Sequence, residues 1–581
     1  MVICIWTFHD VGMKTLNARC SRPSVQSIAA SLVWVTFVWA VNSNSAVARP
    51  NILLLMAEDM SPRVGAFGDE VAVTPNIDAL ARQGVRYTNA FTTAGVCAPS
   101  RAALILGKQQ ISTGTQHMRT SSRPEGGYVS VPPAGVKAFP ELLRAAGYYT
   151  FTDEKLDYQF SGIWADSGPA TIWDSEGRED ASWENRRENQ PFFGFRNFEV
   201  THETGIFRPL GNMPVSVTHF IVQLMRWWQM DTPVVPVVSP ADVEVPPYYP
   251  DTPTVRRDIA RHYDNIAYMD GQVGAILRQL EEDGLADTTI IIWTTDHGDG
   301  LPRAKRELFD AGLKVPMIIR WPAAYRPEGV APGSVETRMV SFLDLAPTLL
   351  SLAGVDAPDY HDGVNFMDTE GSPRTYIHAS RDRIDDVTDR QRAVRDARFK
   401  YIRSWYPDQP EATGVAFRDN IDMVREMRAR FTAGNLDAVQ RRWFEAPGKE
   451  RLFDLEADPH EINNLAADPA HAEDLARLRA EMDAWLELVG DLSAQSEAEM
   501  VARFQPDGTQ LVTPAPAARV EDAQLIVTPQ APDHSVEYRL GDARWRLYTG
   551  PVSVLAVPKV EVRAVRYGWQ ASKIVDVRDA R

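Results

Sequence analysis

The sequence predicts an α/β fold built around a mostly parallel sheet, and three observations carry that expectation. Continuous apolar runs, "NILLLMAED" at residues 51–59 and "TTIIIWTTDHGDG" at 288–300, read as strands buried on both faces. Amphipathic stretches with helix stops alternate with such runs, the longest at residues 257–283. Charged residues gather where the apolar runs end, at Glu58 and Asp59, at His202, and at Asp296 and His297. In open α/β sheets that carboxyl edge is where ligands bind.

In chain order, residues 1–48 predict a cleaved leader. Lys14, Arg19 and Arg22 precede an uncharged stretch whose most apolar part covers residues 28–41, and Ala46-Val47-Ala48 forms a small-x-small cleavage site. About fourteen apolar residues fall short of the roughly 20 that span a bilayer. The expectation is therefore a signal peptide, no transmembrane segment after cleavage, and a periplasmic or secreted protein. Met13, in "MKTL", offers a second start.

After the first strand, "TPNIDALARQG" predicts a helix with Thr74 as N-cap, Pro75 at the first position and Gly84 as stop. "FPELLRAAG" reads as a helix before the strand "YYTFT", "FFGFRNF" as a strand before "THE", and "VPMIIRW" as the strand after "TTDHG". Together they define an α/β domain over 49–371. From 372 to 495 shorter strands and the helix "DLARLRAEMDAWLELVG" predict a smaller α+β subdomain. Residues 496–532, rich in Pro, Gln, Thr and Ala, read as a linker. Residues 533–581 alternate apolar and polar positions, as a small β-sandwich-like module would. A passive role and a glycan-binding role are both open for it.

The net charge of −17 excludes generic nucleic-acid binding, which needs a basic face. An anionic substrate would have to be met by a local cluster of cations. Of the three cysteines, Cys4 and Cys20 fall in the leader, so Cys97 has no partner in the mature chain. It stands in "TTAGVCAPSRAALILG", where Pro99 and Gly107 delimit a short helix that starts at the cysteine. Free amides at a helix N-terminus stabilise negative charge, and Arg101, one turn on, presents a fork suited to a tetrahedral oxyanion.

This Cys97-Ala98-Pro99-Ser100-Arg101 run resembles the signature of the type I sulfatases, members of the alkaline-phosphatase-like superfamily. "AEDM", the signature with "LILGK", "THE", "TTDHG", "KRELFDAG" and "FDLEADPHEINNLA" follow in the family's order over residues 50–490. "TTAGVCAPSR" followed by "GTQHMRT" is most similar to the N-sulfoglucosamine sulfohydrolase-like branch. The resemblance implies an alkaline-phosphatase-like fold and hydrolysis of sulfate esters or N-sulfates of saccharides. It also implies conversion of Cys97 to formylglycine by a formylglycine-generating enzyme. One hydroxyl of the hydrated aldehyde would attack sulfur and the other would expel sulfate.

By position in the family pattern, the metal ligands would be Glu58, Asp59, Cys97, Asp296 and His297, with calcium, or magnesium, as the ion. The family usually has Asp at Glu58 and frequently Asn at His297, and imidazole is the softer ligand. Arg101, Lys155, His202 and Lys305 would hold sulfate, with His202 or Lys305 protonating the leaving group. Asp157 stands where the family often has histidine, so either it or another residue acts as base. His117, in "GTQHMRT", follows the signature helix and either faces the substrate or, as a lone histidine more often does, serves the structure. The insertion at residues 201–253 carries Trp227 and Trp228, which either stack on a sugar or pack beneath the loop. A phosphate or phosphonate ester hydrolase of the same superfamily and a non-catalytic glycan-binding protein are the alternatives. The convertible cysteine argues against the first, and the retained cations and acids against the second.

Overall fold

Every side chain of β1 (Asn51–Ala57) is buried, which is why its sequence is an unbroken apolar run rather than an alternation. Leu53 and Leu55 face one core, with the long helix Pro253–Glu282, and Ile52, Leu54 and Met56 face the other. That second core is filled by the helices Cys97–Leu106, Phe139–Ala145 and Leu345–Leu352. A fully buried Leu contributes about 1.5–3 kcal/mol, so a central strand of this kind anchors both layers. The computed structural model describes residues 49–577 except 165–166, 168–170, 231, 369–370 and 556, and the expected leader lies outside the described residues. Among the described residues no helix is long and apolar enough to cross a membrane.

The main sheet contains β2 (Val85–Phe91), β3 (Tyr149–Thr152), β4 (Ser175–Glu176), β5 (Phe192–Phe198), β6 (Thr289–Thr295), β7 (Lys314–Arg320), β8 (Val335–Glu336) and β9 (Val340–Ser341) besides β1. Its order is β4-β3-β5-β1-β6-β7-β2-β8, with β9 also on β2. Strands β4 through β6 run parallel, whereas β7 is antiparallel to both β6 and β2. This is the mostly parallel α/β architecture that the alternation predicts. β1 is flanked by β5 and β6, with Ala57 in register with Phe198 and Thr295. The residues that follow these three strands therefore meet at one edge.

The second sheet, β10 (Ile377–Arg381), β11 (Gln391–Arg395), β12 (Phe399–Ser404) and β13 (Glu450–Asp454), is antiparallel and packs under the helix Ala472–Val489. The stretch read as a linker carries structure of its own. Ser496 caps the helix Glu497–Phe504 in a capping box, and Met500 and Phe504 bury against Tyr128. β14 (Ala517–Glu521) and β15 (Gln524–Thr528) then pair as a hairpin. Its Pro-rich composition hid this because the helix is short and β14, the outer strand of the hairpin, is largely exposed.

Two small sheets close the chain. One contains β14, β15 and β18 (Val552–Ser553), and the other β16 (Ser535–Leu540), β17 (Arg546–Leu547), β19 (Val560–Val565) and β20 (Val575–Asp576). They share a core of Leu525, Val536, Val560 and Val562, as a sandwich does. This module sits on the helix Phe139–Ala145. Lys137 Nζ donates to Ser535 Oγ at 2.6 Å, Tyr567 donates to the buried Glu141, and the Tyr567 ring stacks on Phe160 at 5.0 Å.

Candidate active site

The helix Cys97–Leu106 is buried at every position and has no side-chain N-cap, so its first amides stay free beside Cys97. Gly107 (φ 60°) ends it in a left-handed cap whose N–H bonds Ala103 and Leu104 carbonyls, a conformation glycine adopts without strain. Upstream, Gly95 lets its loop lie on the segment carrying Lys305: a Cβ there would stand 2.3 Å from the Glu307 carbonyl. Ser100 Oγ donates to the Asp296 carbonyl at 2.5 Å, tying the helix to the end of β6.

The edge of the sheet then assembles the predicted residues. Asp59, Cys97, Asp296 and His297 each place one donor atom within 4.8 Å of the others, all buried. Cys97 Sγ lies 3.4 Å from His297 Nε2 and 3.9 Å from Asp59 Oδ1. His297 Nε2 is 2.9 Å from Asp59 Oδ1, and its Nδ1 is 2.9 Å from the Gly298 carbonyl. That carbonyl accepts the Nδ1 proton and leaves Nε2 facing the cluster. Glu58, Asp59 and His202 form a second such group, and Glu58 Oε2 is buried without a partner. An orphaned carboxylate oxygen beside a cluster of oxygen donors and one imidazole fits a divalent cation.

Four cations pack against these acids. Arg101 donates from Nε to Asp296 and from Nη2 to Glu58, both at 3.0 Å, and from Nη1 to Asn197 at 2.6 Å. Lys155 Nζ reaches Glu58 at 2.7 Å, and Lys305 Nζ reaches Asp59 at 2.6 Å and Glu203 at 3.2 Å. Arg306 clamps Glu203 with two bonds. Burial opposes ionisation of Asp59, but Lys305 and the hydrogen-bonded His297 outweigh it and hold the carboxyl well below its usual value. Burial raises Glu58, with Lys155 and Arg101 only partly offsetting it. Burial also works against charge on His297, yet Asp296 and Asp59 raise it to about 10. His202, half-buried with Nδ1 3.1 Å from Thr204 Oγ1, is pushed well below the usual imidazole value by burial and then by Lys305.

Asp157 does not join the acid cluster. It accepts a two-pronged ion pair from Arg119 at 2.9 and 3.0 Å, which against the effect of burial holds its carboxyl below the ordinary range. His117 is structural: its Nδ1 accepts the Arg383 backbone N–H at 3.2 Å. Sequence reasoning missed Arg119, Asn197 and Glu203. Arg119 and Glu203 lie inside quoted motifs, "GTQHMRT" and "THE", but their partners are distant in the chain. Trp227 and Trp228 stand on the helix Val217–Gln229 and are 60% and 82% exposed, so they do not pack beneath the loop. Gln223, on the same helix, donates to the Thr204 carbonyl at 2.7 Å, two residues from His202.

A cysteine at a helix start, facing acids and an imidazole at the carboxyl edge of a mostly parallel sheet, defines a hydrolase of the alkaline-phosphatase-like architecture. A sulfatase family model matches residues 50–355, and one for the C-terminal part of N-sulphoglucosamine sulphohydrolase matches residues 303–413. An ulvan-active sulfatase of Formosa agariphila is 39% identical over 91% of each chain. Human N-sulphoglucosamine sulphohydrolase is 26% identical over 75% of this chain and 90% of its own. Among solved structures, a 2-O GAG sulfatase aligns with TM-score 0.52 at 20% identity, over 77% of this chain and 94% of that one. A phosphonate monoester hydrolase from Silicibacter pomeroyi aligns with TM-score 0.50 at 19% identity, over 76% and 96%. These last two share the fold and leave the choice of anion to sequence. The chain belongs to the sulfatase family, in its N-sulphoglucosamine sulphohydrolase-like branch, and is a sulfuric ester hydrolase.

Proposed function

We propose that this sulfatase is exported and removes sulfate from a sulfated saccharide, using residue 97 as nucleophile. The observation that carries the reading is the buried cluster of Cys97, Asp59, Asp296 and His297, with Arg101 and Lys305 against its acids and Lys155 on the adjoining Glu58. The 39% identical relative, named for activity on ulvan, supports a sulfated polysaccharide as substrate. Glu58, Asp59, Asp296 and His297 would hold calcium or magnesium, which supplies charge compensation for sulfate and acidifies a bound hydroxyl. Formylglycine at position 97, made by a dedicated modifying enzyme, supplies a hydrated aldehyde as nucleophile.

The chain's own side chains do the rest. Arg101, Lys155 and Lys305 keep their charge and form the cationic wall that a sulfate monoanion meets. Lys305, fixed between Asp59 and Glu203, orients rather than travels. His202 is half-buried and neutral before substrate arrives; an anion beside it favours the imidazolium, which can then deliver a proton to the leaving oxygen or nitrogen. Asp157 is already ionised and paired, so it serves by holding Arg119 rather than as a base.

Peptide mass spectrometry of protein made beside the modifying enzyme should find an aldehyde or its hydrate at residue 97, and Cys97→Ala should release no sulfate from ulvan or an aryl sulfate. An active enzyme with an unmodified thiol would sink the proposal. Faster turnover of an aryl phosphate or phosphonate would favour the other anion.

A further inference from the structure

The region of the molecule opposite the reactive cluster carries a second concentration of cations. A cleft of ≈ 590 Å³ lies where the Phe139–Ala145 helix and the start of β3 meet β17. Four arginines line it, Arg144, Arg187, Arg544 and Arg546, against one carboxylate, Asp174. Asp174 is taken up by Arg144 at 2.7 Å, and Arg544 pairs at the rim with Asp180 at 2.7 Å. Among the described residues, Arg187 and Arg546 pair with no carboxylate; Arg187 Nε reaches only Gln190 Oε1, at 3.4 Å. Both are exposed. Such a grouping is unexpected in a chain of net charge −17 unless it meets an anion.

The cleft is also built, not merely charged. Tyr149 and Tyr538, each 8% exposed, contribute to its lining. Trp545 lies between Arg539 and Arg563, whose guanidinium carbons stand 4.7 and 4.3 Å from its ring centre, and this stack stiffens the segment that presents Arg544 and Arg546. Its volume falls within the about 300–1,000 Å³ of sites that take small ligands. Arginine forks set among tyrosines suit a ring bearing sulfate or carboxylate groups, since each fork can hold two oxygens at once.

The cleft is separate from the reaction centre. Tyr149 begins β3 and Gln190 precedes β5, whereas the reactive residues follow the far ends of β1, β5 and β6. A seven-residue strand is about 23 Å long. We propose that this cleft is a non-catalytic anchoring site for a sulfated polysaccharide, holding the polymer while its sulfates are presented at the opposite edge. The identity of the polymer rests on the proposed function; the cleft's anionic preference does not.

The test uses the full chain and its Arg187→Ala/Arg546→Ala variant, neither residue being part of the catalytic machinery. Affinity electrophoresis is run in gels containing ulvan, neutral dextran or inorganic polyphosphate, with sulfate release measured in parallel. Wild type should be retarded by ulvan and not by dextran, more weakly by polyphosphate, and less as salt rises. The variant should lose about tenfold in ulvan affinity while kcat/KM on a small aryl sulfate stays unchanged. Equal retardation of both proteins by ulvan overturns the proposal. Polyphosphate held as tightly as ulvan, with the same loss in the variant, overturns the saccharide assignment. Ulvan retention without any desulfation supports the cleft and counts against the substrate reading instead.

Discussion

Arg101→Lys keeps the charge at position 101 and should nevertheless cripple the enzyme. The guanidinium is 1% exposed and serves three acceptors, Asp296 and Glu58 at 3.0 Å and Asn197 at 2.6 Å. A single ammonium cannot reach all three. Glu58 keeps Lys155 at 2.7 Å, so the deficit falls on Asp296 and Asn197. Each buried acceptor left without a donor costs about 1–3 kcal/mol, and a one-sided loss from a buried ion pair costs about 3–5 kcal/mol. A destabilisation of about 3–5 kcal/mol is expected, read as a lower urea midpoint with unchanged m-value. Because the same fork orients the groups around residue 97, kcat/KM on a small aryl sulfate should fall at least about 100-fold. A midpoint coincident with wild type, or full activity in Arg101→Lys, would refute the argument that the fork, rather than the charge, matters here.

Chelation should lower the melting temperature as well as abolish turnover, with calcium or magnesium restoring both, because clustered carboxylates are costly without a cation. Asp59→Ala and Asp296→Ala should lose bound metal, and unchanged metal content would show the ligand assignment wrong. Trp227→Ala and Trp228→Ala, at 60% and 82% exposure, should leave the melting temperature in place and lower kcat/KM on a polysaccharide while sparing an aryl sulfate. Equal losses on both substrates would remove these tryptophans from saccharide recognition. Asp157→Asn should lower kcat/KM about tenfold through loss of Arg119 positioning, with Arg119→Ala giving the same loss and the double variant no more. Since the folded pKa of Asp157 is depressed, its contribution to stability is complete above the unfolded value of about 3.9 and is lost as pH falls through the folded one. The stability gap between wild type and Asp157→Asn should therefore shrink in acid; a gap independent of pH would contradict the ion-pair assignment.

Much of this was legible in the chain because strand ends and motifs coincide. A fully buried parallel strand must be apolar throughout, so "NILLLMAED" and "TTIIIWTTDHG" mark both the strands and the acids that follow them. Neighbouring parallel strands bring their ends together, which is why Asp59 and Asp296 meet across 237 residues, joined by a 3.1 Å bond from the Asp59 N–H. Periodicity says nothing of direction, so "VPMIIRW" gave a strand but not its antiparallel placement. Nor could it show that Arg119 takes Asp157, a choice made by tertiary packing. The apolar face of Val217–Gln229 reads in sequence like a buried helix, and only the fold shows that Trp227 and Trp228 face solvent.

The burial of the Cys97 helix along its whole length bears on the order of events in the life of the chain. A sulfate group needs only that side chains part, whereas an enzyme that oxidises a thiol must grip the polypeptide around it. With residues 97–106 enclosed on every side, that grip belongs to the interval before the domain closes. If residue 97 is converted as proposed, maturation is a race between oxidation and folding. On that reading, conditions that slow closure more than oxidation should raise the fraction of molecules born active, and a folded molecule left with its thiol should stay inert however much modifying enzyme is added later.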